Sequence, residues 1–206
     1  MTEYAIEIGR FKEYEGVRND TKELSDIQKI ALSSVEKSFE EKDICLLHGI
    51  TGSGKTEVYV ELINKYIAKG EQVLYLLPEI ALTTQMINRL RKYFGDKIGI
   101  YHSKFSPNER VEVWNAVLKN KLHKYDVLLG ARSAVFLPFD KLGLIIVDEE
   151  HETSFKQHDP APRYNARDTA YVLAKMHGAK VLLGSATPSI ETMYSAKEGK
   201  IGLVEM

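Results

Sequence analysis

One cysteine in 206 residues is too few for a disulfide framework or a cysteine-rich zinc site, and it suits a reducing, intracellular setting. That thiol, Cys45, lies in the apolar run Ile44-Cys45-Leu46-Leu47-His48, where it reads as a small buried hydrophobe. No apolar stretch approaches the roughly 20 residues of a membrane span, and Met1-Thr2-Glu3-Tyr4 does not open a signal peptide. A soluble chain without membrane contact, most simply cytoplasmic, is expected. An excess of charge of either sign is also missing, since 28 Lys and Arg face 29 Asp and Glu for a formal net charge of −1. Any nucleic-acid contact must therefore come from a local patch. Repeats and low-complexity tracts are absent, and the length suits one well-buried domain rather than two.

What is present reads as alternating strands and helices. Residues 1–22 are charged and weakly patterned, with only Tyr4-Ala5-Ile6-Glu7-Ile8 alternating like a strand, and they read as a leader or linker. A domain is expected over 23–206. Ser25 can cap a helix that carries Ile27, Ile30, Ala31, Val35 and Phe39 on one face. Val58, Leu62, Ile63, Tyr66 and Ile67 mark a second helix stopped by Gly70, and Met86, Ile87, Leu90, Tyr93 and Phe94 a third stopped by Gly95. A fourth, made by Val111, Trp114, Val117 and Leu118, starts near Ser106-Pro107, and Tyr171, Val172, Ala174 and Lys175 belong to a fifth. Apolar strands are expected at 44–48, 73–77, 98–101, 126–130, 144–147 and 181–184. Strands apolar throughout, alternating with helices, predict an α/β fold of three layers: a mainly parallel central sheet with helices on both faces. Ligands of such sheets gather at the carboxyl ends of the strands.

The chemistry-bearing residues fall at those ends. Gly49-Ile50-Thr51-Gly52-Ser53-Gly54-Lys55-Thr56 follows the first strand and opens a helix, the context a phosphate-binding P-loop requires. Gly49, Thr51, Gly52, Ser53 and Gly54 let main-chain amides wrap a polyphosphate, and the helix dipole adds attraction for the anion. Lys55 reaches the β- and γ-phosphates, and the Thr56 hydroxyl can ligate Mg²⁺. A second site residue set follows the strand Leu144-Ile145-Ile146-Val147, which delivers Asp148-Glu149-Glu150-His151. Mg²⁺ prefers oxygen ligands and keeps part of its water, so Asp148 is assigned to the metal. Glu149 is placed to orient and deprotonate an attacking water. His48 and His102 show no partners in sequence that would make either a metal ligand.

The P-loop, the Asp-Glu-Glu-His box and Gly184-Ser185-Ala186-Thr187-Pro188 stand in the order of superfamily-2 helicases. Three further segments narrow the match: Leu77-Pro78-Glu79-Ile80-Ala81-Leu82-Thr83, the run Gly130 to Phe139, and Ser154-Phe155-Lys156-Gln157 through Arg163 to Asp168. From about residue 24 onward the chain resembles the primosomal protein N′ family of replication-restart DNA helicases. The resemblance implies an ATP-dependent DNA helicase moving 3′ to 5′ on single-stranded or forked DNA, with primosome and single-strand-binding proteins as partners. It implies that Gln28 reads adenine, that His151, Ser185 and Thr187 couple hydrolysis to DNA, and that Thr83, Arg132 and Ser133 touch a DNA backbone. The loop from Phe155 to Tyr164 resembles the family's aromatic-rich loop. There, Lys156, Arg163 and Arg167 can neutralise phosphates while Phe155 and Tyr164 offer stacking faces. Arg132 reads equally well as a structural partner, and Trp114 as core.

Departures matter too. The resemblance implies a second RecA-like lobe, paired zinc-binding cysteines and an amino-terminal DNA-binding region, none of which these residues supply. The chain thus reads as the first RecA-like lobe alone, with Mg²⁺ and ATP as its cofactors, no zinc site, and almost no hydrolysis by itself. Two other readings stay open. One is a small P-loop kinase or GTPase; Glu149 and the Ser185-Ala186-Thr187 segment argue against the kinase, and nucleotide preference separates the GTPase. The other is a non-catalytic nucleic-acid-binding module, against which the presence of Lys55, Thr56, Asp148 and Glu149 argues.

Overall fold

Helix α1 (Asp26–Glu41) starts where the sequence offers a reciprocal cap. The Ser25 hydroxyl accepts from the Gln28 amide at 3.3 Å, and Gln28 Oε1 accepts from the Ser25 amide at 2.8 Å, so two donors that the helix leaves orphaned are satisfied. The computed structural model describes residues 23–103, 105–118 and 125–206. The expected leader at 1–22 lies outside them.

After α1 the order is β1 (Ile44–His48), α2 (Lys55–Ala68), β2 (Gln72–Leu76), α3 (Thr84–Phe94), β3 (Ile98–Tyr101), α4 (Pro107–Leu118), β4 (Val127–Gly130), β5 (Leu142–Asp148), α5 (Ala166–His177), β6 (Lys180–Ser185), α6 (Ile190–Lys197) and β7 (Gly202–Glu205). The strands form one seven-stranded sheet in the order β3-β4-β2-β5-β6-β1-β7, and every pairing is parallel. Two cores flank it. Cys45, Leu47, Val73 and Tyr75 point to the layer of α1, α2 and α3. Leu46, Leu74, Leu76 and Ile145 point to the layer of α4, α5 and α6. The switch has a handedness cause. Chain progress along the sheet reverses after β3, and right-handed crossovers then require the opposite face.

Two expectations need correction. Ile27 and Ile30 are exposed; α1 buries Ala31, Leu32, Val35 and Phe39 instead. The first turn of α1 meets the P-loop, where Gln28 Nε2 donates to Gly54 O at 3.4 Å, and Ile27 there stays uncovered. Helix α4 buries Val113 and Val117, which leaves Val111 and Leu118 exposed and Trp114 38% exposed. The expected helix at Tyr171 to Lys175 is α5, which buries Ala166, Ala170 and Ala174 and leaves Val172 exposed. Strand β7 was not anticipated from sequence. It is a short edge strand with alternating burial, although Ile201-Gly202-Leu203-Val204 is as apolar as the run at 98–101. Among the described residues no helix is long and apolar enough to cross a membrane.

Candidate functional site

Strand β1 delivers the P-loop, and its first residue is pinned: the Gly49 amide donates to Ser185 O at 3.1 Å. Gly52 and Gly54 turn left-handed, with φ of 81° and 90°, where a side chain would be strained. Gly54 also lies against Gln28, whose Nε2 donates to Gly54 O at 3.4 Å. A methyl group at Gly54 would sit 2.2 Å from that nitrogen. The Lys55 ammonium is nearly buried and donates to Gly49 O at 2.7 Å and Ile50 O at 3.4 Å, which holds it over the concave side of the loop.

Asp148 ends β5 two strands away, yet it shares one cleft of about 300 Å³ with Thr51, Gly52, Gly54, Lys55 and Thr56. Three donors fix its carboxylate. Tyr59 of α2 donates to Oδ1 at 3.1 Å, Tyr75 of β2 donates to Oδ2 at 3.0 Å, and the Glu149 amide reaches Oδ1 at 3.1 Å. Burial raises the Asp148 pKa, opposed by the Tyr75 hydrogen bond and by Lys55. Burial, followed by the Asp148 charge, holds both phenols well above their usual range, so they remain neutral donors. Glu149 adopts φ 51°, a left-handed backbone conformation rare for a residue with a side chain. The two tyrosine rings meet edge to face at 5.7 Å.

His151 bridges the box to the segment after β6. Its Nδ1 lies 2.8 Å from Ser185 Oγ, and its Nε2 lies 3.3 Å from Thr187 Oγ1. Glu149 Oε2 stands 3.7 Å from Nδ1. The neighbouring Glu150 went unremarked in the sequence beyond its place in the box, yet it is the best-held carboxylate here. Its buried oxygens accept from the Ser189 amide at 2.7 Å, Arg167 Nη1 at 2.9 Å and Thr192 Oγ1 at 2.9 Å. Arg167 is therefore spent on Glu150, Asp168 and Ser189, a correction to its expected role against phosphate.

The loop after the box is anchored rather than splayed. Arg132 Nη1 donates to Ser154 O at 3.3 Å and Lys156 O at 3.1 Å. Phe155 is 1% exposed, so it packs in the core and offers no stacking face, a second correction. The exposed ring here is Phe136, which meets Tyr164 edge-on at 4.8 Å. It lies in the helical turn Arg132–Phe136 together with Ser133. Lys156 and Arg163 are exposed, and Thr83 caps α3 by accepting from the Met86 amide at 3.3 Å. Glu57 and Arg89 also line the cleft and were missed, because neither belongs to a recognisable pattern. Tyr59 and Tyr75 were missed because they read as ordinary core.

Strand, phosphate loop, helix and a carboxylate box at the next-but-one strand define a P-loop nucleotide-binding domain of the RecA-like kind. The profile of the DEAD/DEAH box helicases matches residues 25–195, and the chain belongs to that family. It is 43% identical to the replication restart protein PriA of Bacillus subtilis (strain 168) over 187 residues, covering 89% of this chain and 22% of that protein. The PriA of Rickettsia felis is 46% identical over 184 residues, covering 89% of this chain and 27% of the relative. The chain thus spans about a quarter of the length of these curated relatives. Among solved structures, RecG bound to a three-way DNA junction superposes with a TM-score of 0.62 at 23% identity, over 87% of this chain and 23% of that one. The Hef helicase domain of Pyrococcus furiosus gives 0.62 at 19% identity, over 87% and 36%. At such identities these two speak for the fold.

Proposed function

We propose that this chain is the ATP-binding first lobe of a 3′-to-5′ DNA helicase acting in replication restart and primosome assembly. The observation that carries the reading is the convergence of Lys55, Thr56, Asp148 and Glu149 on one cleft. Main-chain amides from Gly49 to Thr56 bind the phosphates, and Gln28, held against Gly54, reads the adenine. Thr56 and Asp148 are the residues to hold Mg²⁺. The donor set fits: both offer hard oxygens, and three donors leave the Asp148 carboxylate about one free lone-pair site for a hydrated ion. When bound with nucleotide, Mg²⁺ supplies neutralisation of charge on the phosphate oxygens. Among the described residues no cluster of three His, Cys, Asp or Glu could hold a metal, so the phosphates and water must complete the shell.

Glu149 takes the proton of the attacking water, and His151, Ser185 and Thr187 carry the state of the cleft toward the DNA side. Thr83, Arg132, Ser133, Lys156, Arg163 and Tyr164 face single-stranded or forked DNA, with Phe136 replacing Phe155 as the stacking ring. Primosome and single-strand-binding proteins are the partners this role brings, in the cytoplasm. The 43–46% identical relatives, both replication restart proteins, support the replication-restart part. Hydrolysis in such motors also draws on an arginine from across the cleft, so these residues alone should bind Mg·ATP weakly and turn it over barely. Calorimetric titration tests the reading: saturable Mg·ATP binding lost in Lys55→Ala is expected. Binding unchanged by that substitution, or a preference for GTP, would overturn it.

A further inference from the structure

Arg89 of α3 faces the P-loop across the nucleotide cleft and helps line it together with Lys55, Thr56, Asp148 and Glu149. Its Nη2 lies 2.6 Å from Oε1 of Glu57, in the first turn of α2. The pair is asymmetric, with the Arg89 side chain 46% exposed and that of Glu57 18% exposed. The second Glu57 oxygen lies close to Gly54, since a Cβ there would stand 3.3 Å from Oε2. A guanidinium is thus poised within the cleft while tied to a carboxylate on its wall.

The arrangement is odd for a purely structural ion pair. Glu57 suits the amino end of α2, but it places negative charge beside the loop that must receive an anion. A partly exposed pair is worth little, so a stronger anion can take the arginine from it. The planar fork of arginine matches phosphate oxygens two at a time, which a lysine cannot do. Resting on the nucleotide-binding reading above, we infer that Arg89 is a specificity residue: Glu57 parks it until nucleotide binds, and the terminal phosphate of a nucleoside triphosphate recruits it. Its contact discriminates triphosphate from diphosphate within this lobe.

The test is equilibrium binding of Mg·AMP-PNP and Mg·ADP to the wild-type chain, Arg89→Ala, Arg89→Lys and Glu57→Gln, with thermal melts as a folding control. Arg89→Ala should weaken AMP-PNP roughly tenfold or more, the loss expected of one charge-assisted hydrogen bond, and leave ADP within about twofold. Arg89→Lys should recover part of that loss. Glu57→Gln should tighten AMP-PNP relative to ADP, and this variant decides the matter if Arg89→Ala does not fold. Equal losses for both nucleotides, or an unchanged ratio in Glu57→Gln, would mean that the pair only ties α2 to α3. A wild-type chain that binds neither nucleotide would instead bring down the nucleotide-binding reading, and this inference with it.

Discussion

The Tyr59 hydroxyl reaches Asp148 Oδ1 at 3.1 Å through space that any side chain at Gly184 would occupy. A methyl group there would sit 1.7 Å from that oxygen. Thus β6, which lies between the P-loop strand and the carboxylate strand, must be bare at this point for the two halves of the cleft to connect.

Gly184→Ala should therefore cost stability and displace Tyr59. Overpacking of this kind costs about 1–3 kcal/mol, read as a lower urea midpoint. Adding Tyr59→Phe removes the clashing oxygen, so the double variant should be less destabilised than the two single losses summed. Strict additivity would show that the two positions do not meet.

Glu150 and Arg167 form a buried pair, with the glutamate side chain 0% exposed and the arginine 14% exposed. Removing either partner strands a charge, at a cost of about 3–5 kcal/mol. Glu150→Ala and Arg167→Ala should each lower the denaturation midpoint strongly, and the double variant should lose far less than their sum. Urea titrations of all four proteins measure this.

Neighbours in the loop after the box should separate in behaviour. Phe155→Ala empties a core position and should cost about 3–5 kcal/mol of stability. Lys156→Ala and Arg163→Ala should leave melting unchanged. If these side chains contact DNA, each substitution should lower the salt dependence of single-strand binding by roughly one phosphate contact. Fluorescence anisotropy across a salt series checks the slope.

Burial raises the Cys45 thiol from its ordinary 9.0 to about 11. A native pKa above the unfolded value means that this contribution to stability is complete below about pH 9 and is lost as pH rises through the native value. At pH 8 the thiol should react with a disulfide reagent only after denaturant is added. Rapid labelling of the folded chain would contradict the buried placement.

Much of this was legible in advance. Continuous apolar runs announced six of the strands, Ser25 announced the start of α1, and the glycines around Lys55 announced a phosphate loop. Each of those signals is local: a cap, a turn or an alternation depends on residues a few positions apart. Helix faces were less legible. Ile27, Ile30 and Val111 are as apolar as the residues that enter the core, and only the position of the sheet decides which of them are covered.

By itself, then, the order of residues determined the α/β class, the P-loop and the acidic box, because these follow from short-range geometry and side-chain chemistry. Tertiary structure alone decided that Asp148 is held by Tyr59 and Tyr75, that Phe155 is core while Phe136 is exposed, and that Arg89 faces the phosphate loop. Tyr59 and Tyr75 stand 89 and 73 positions from Asp148, and the other relationships depend on which elements the fold brings side by side. No local pattern encodes such distances; the packing of layers on a seven-stranded sheet does.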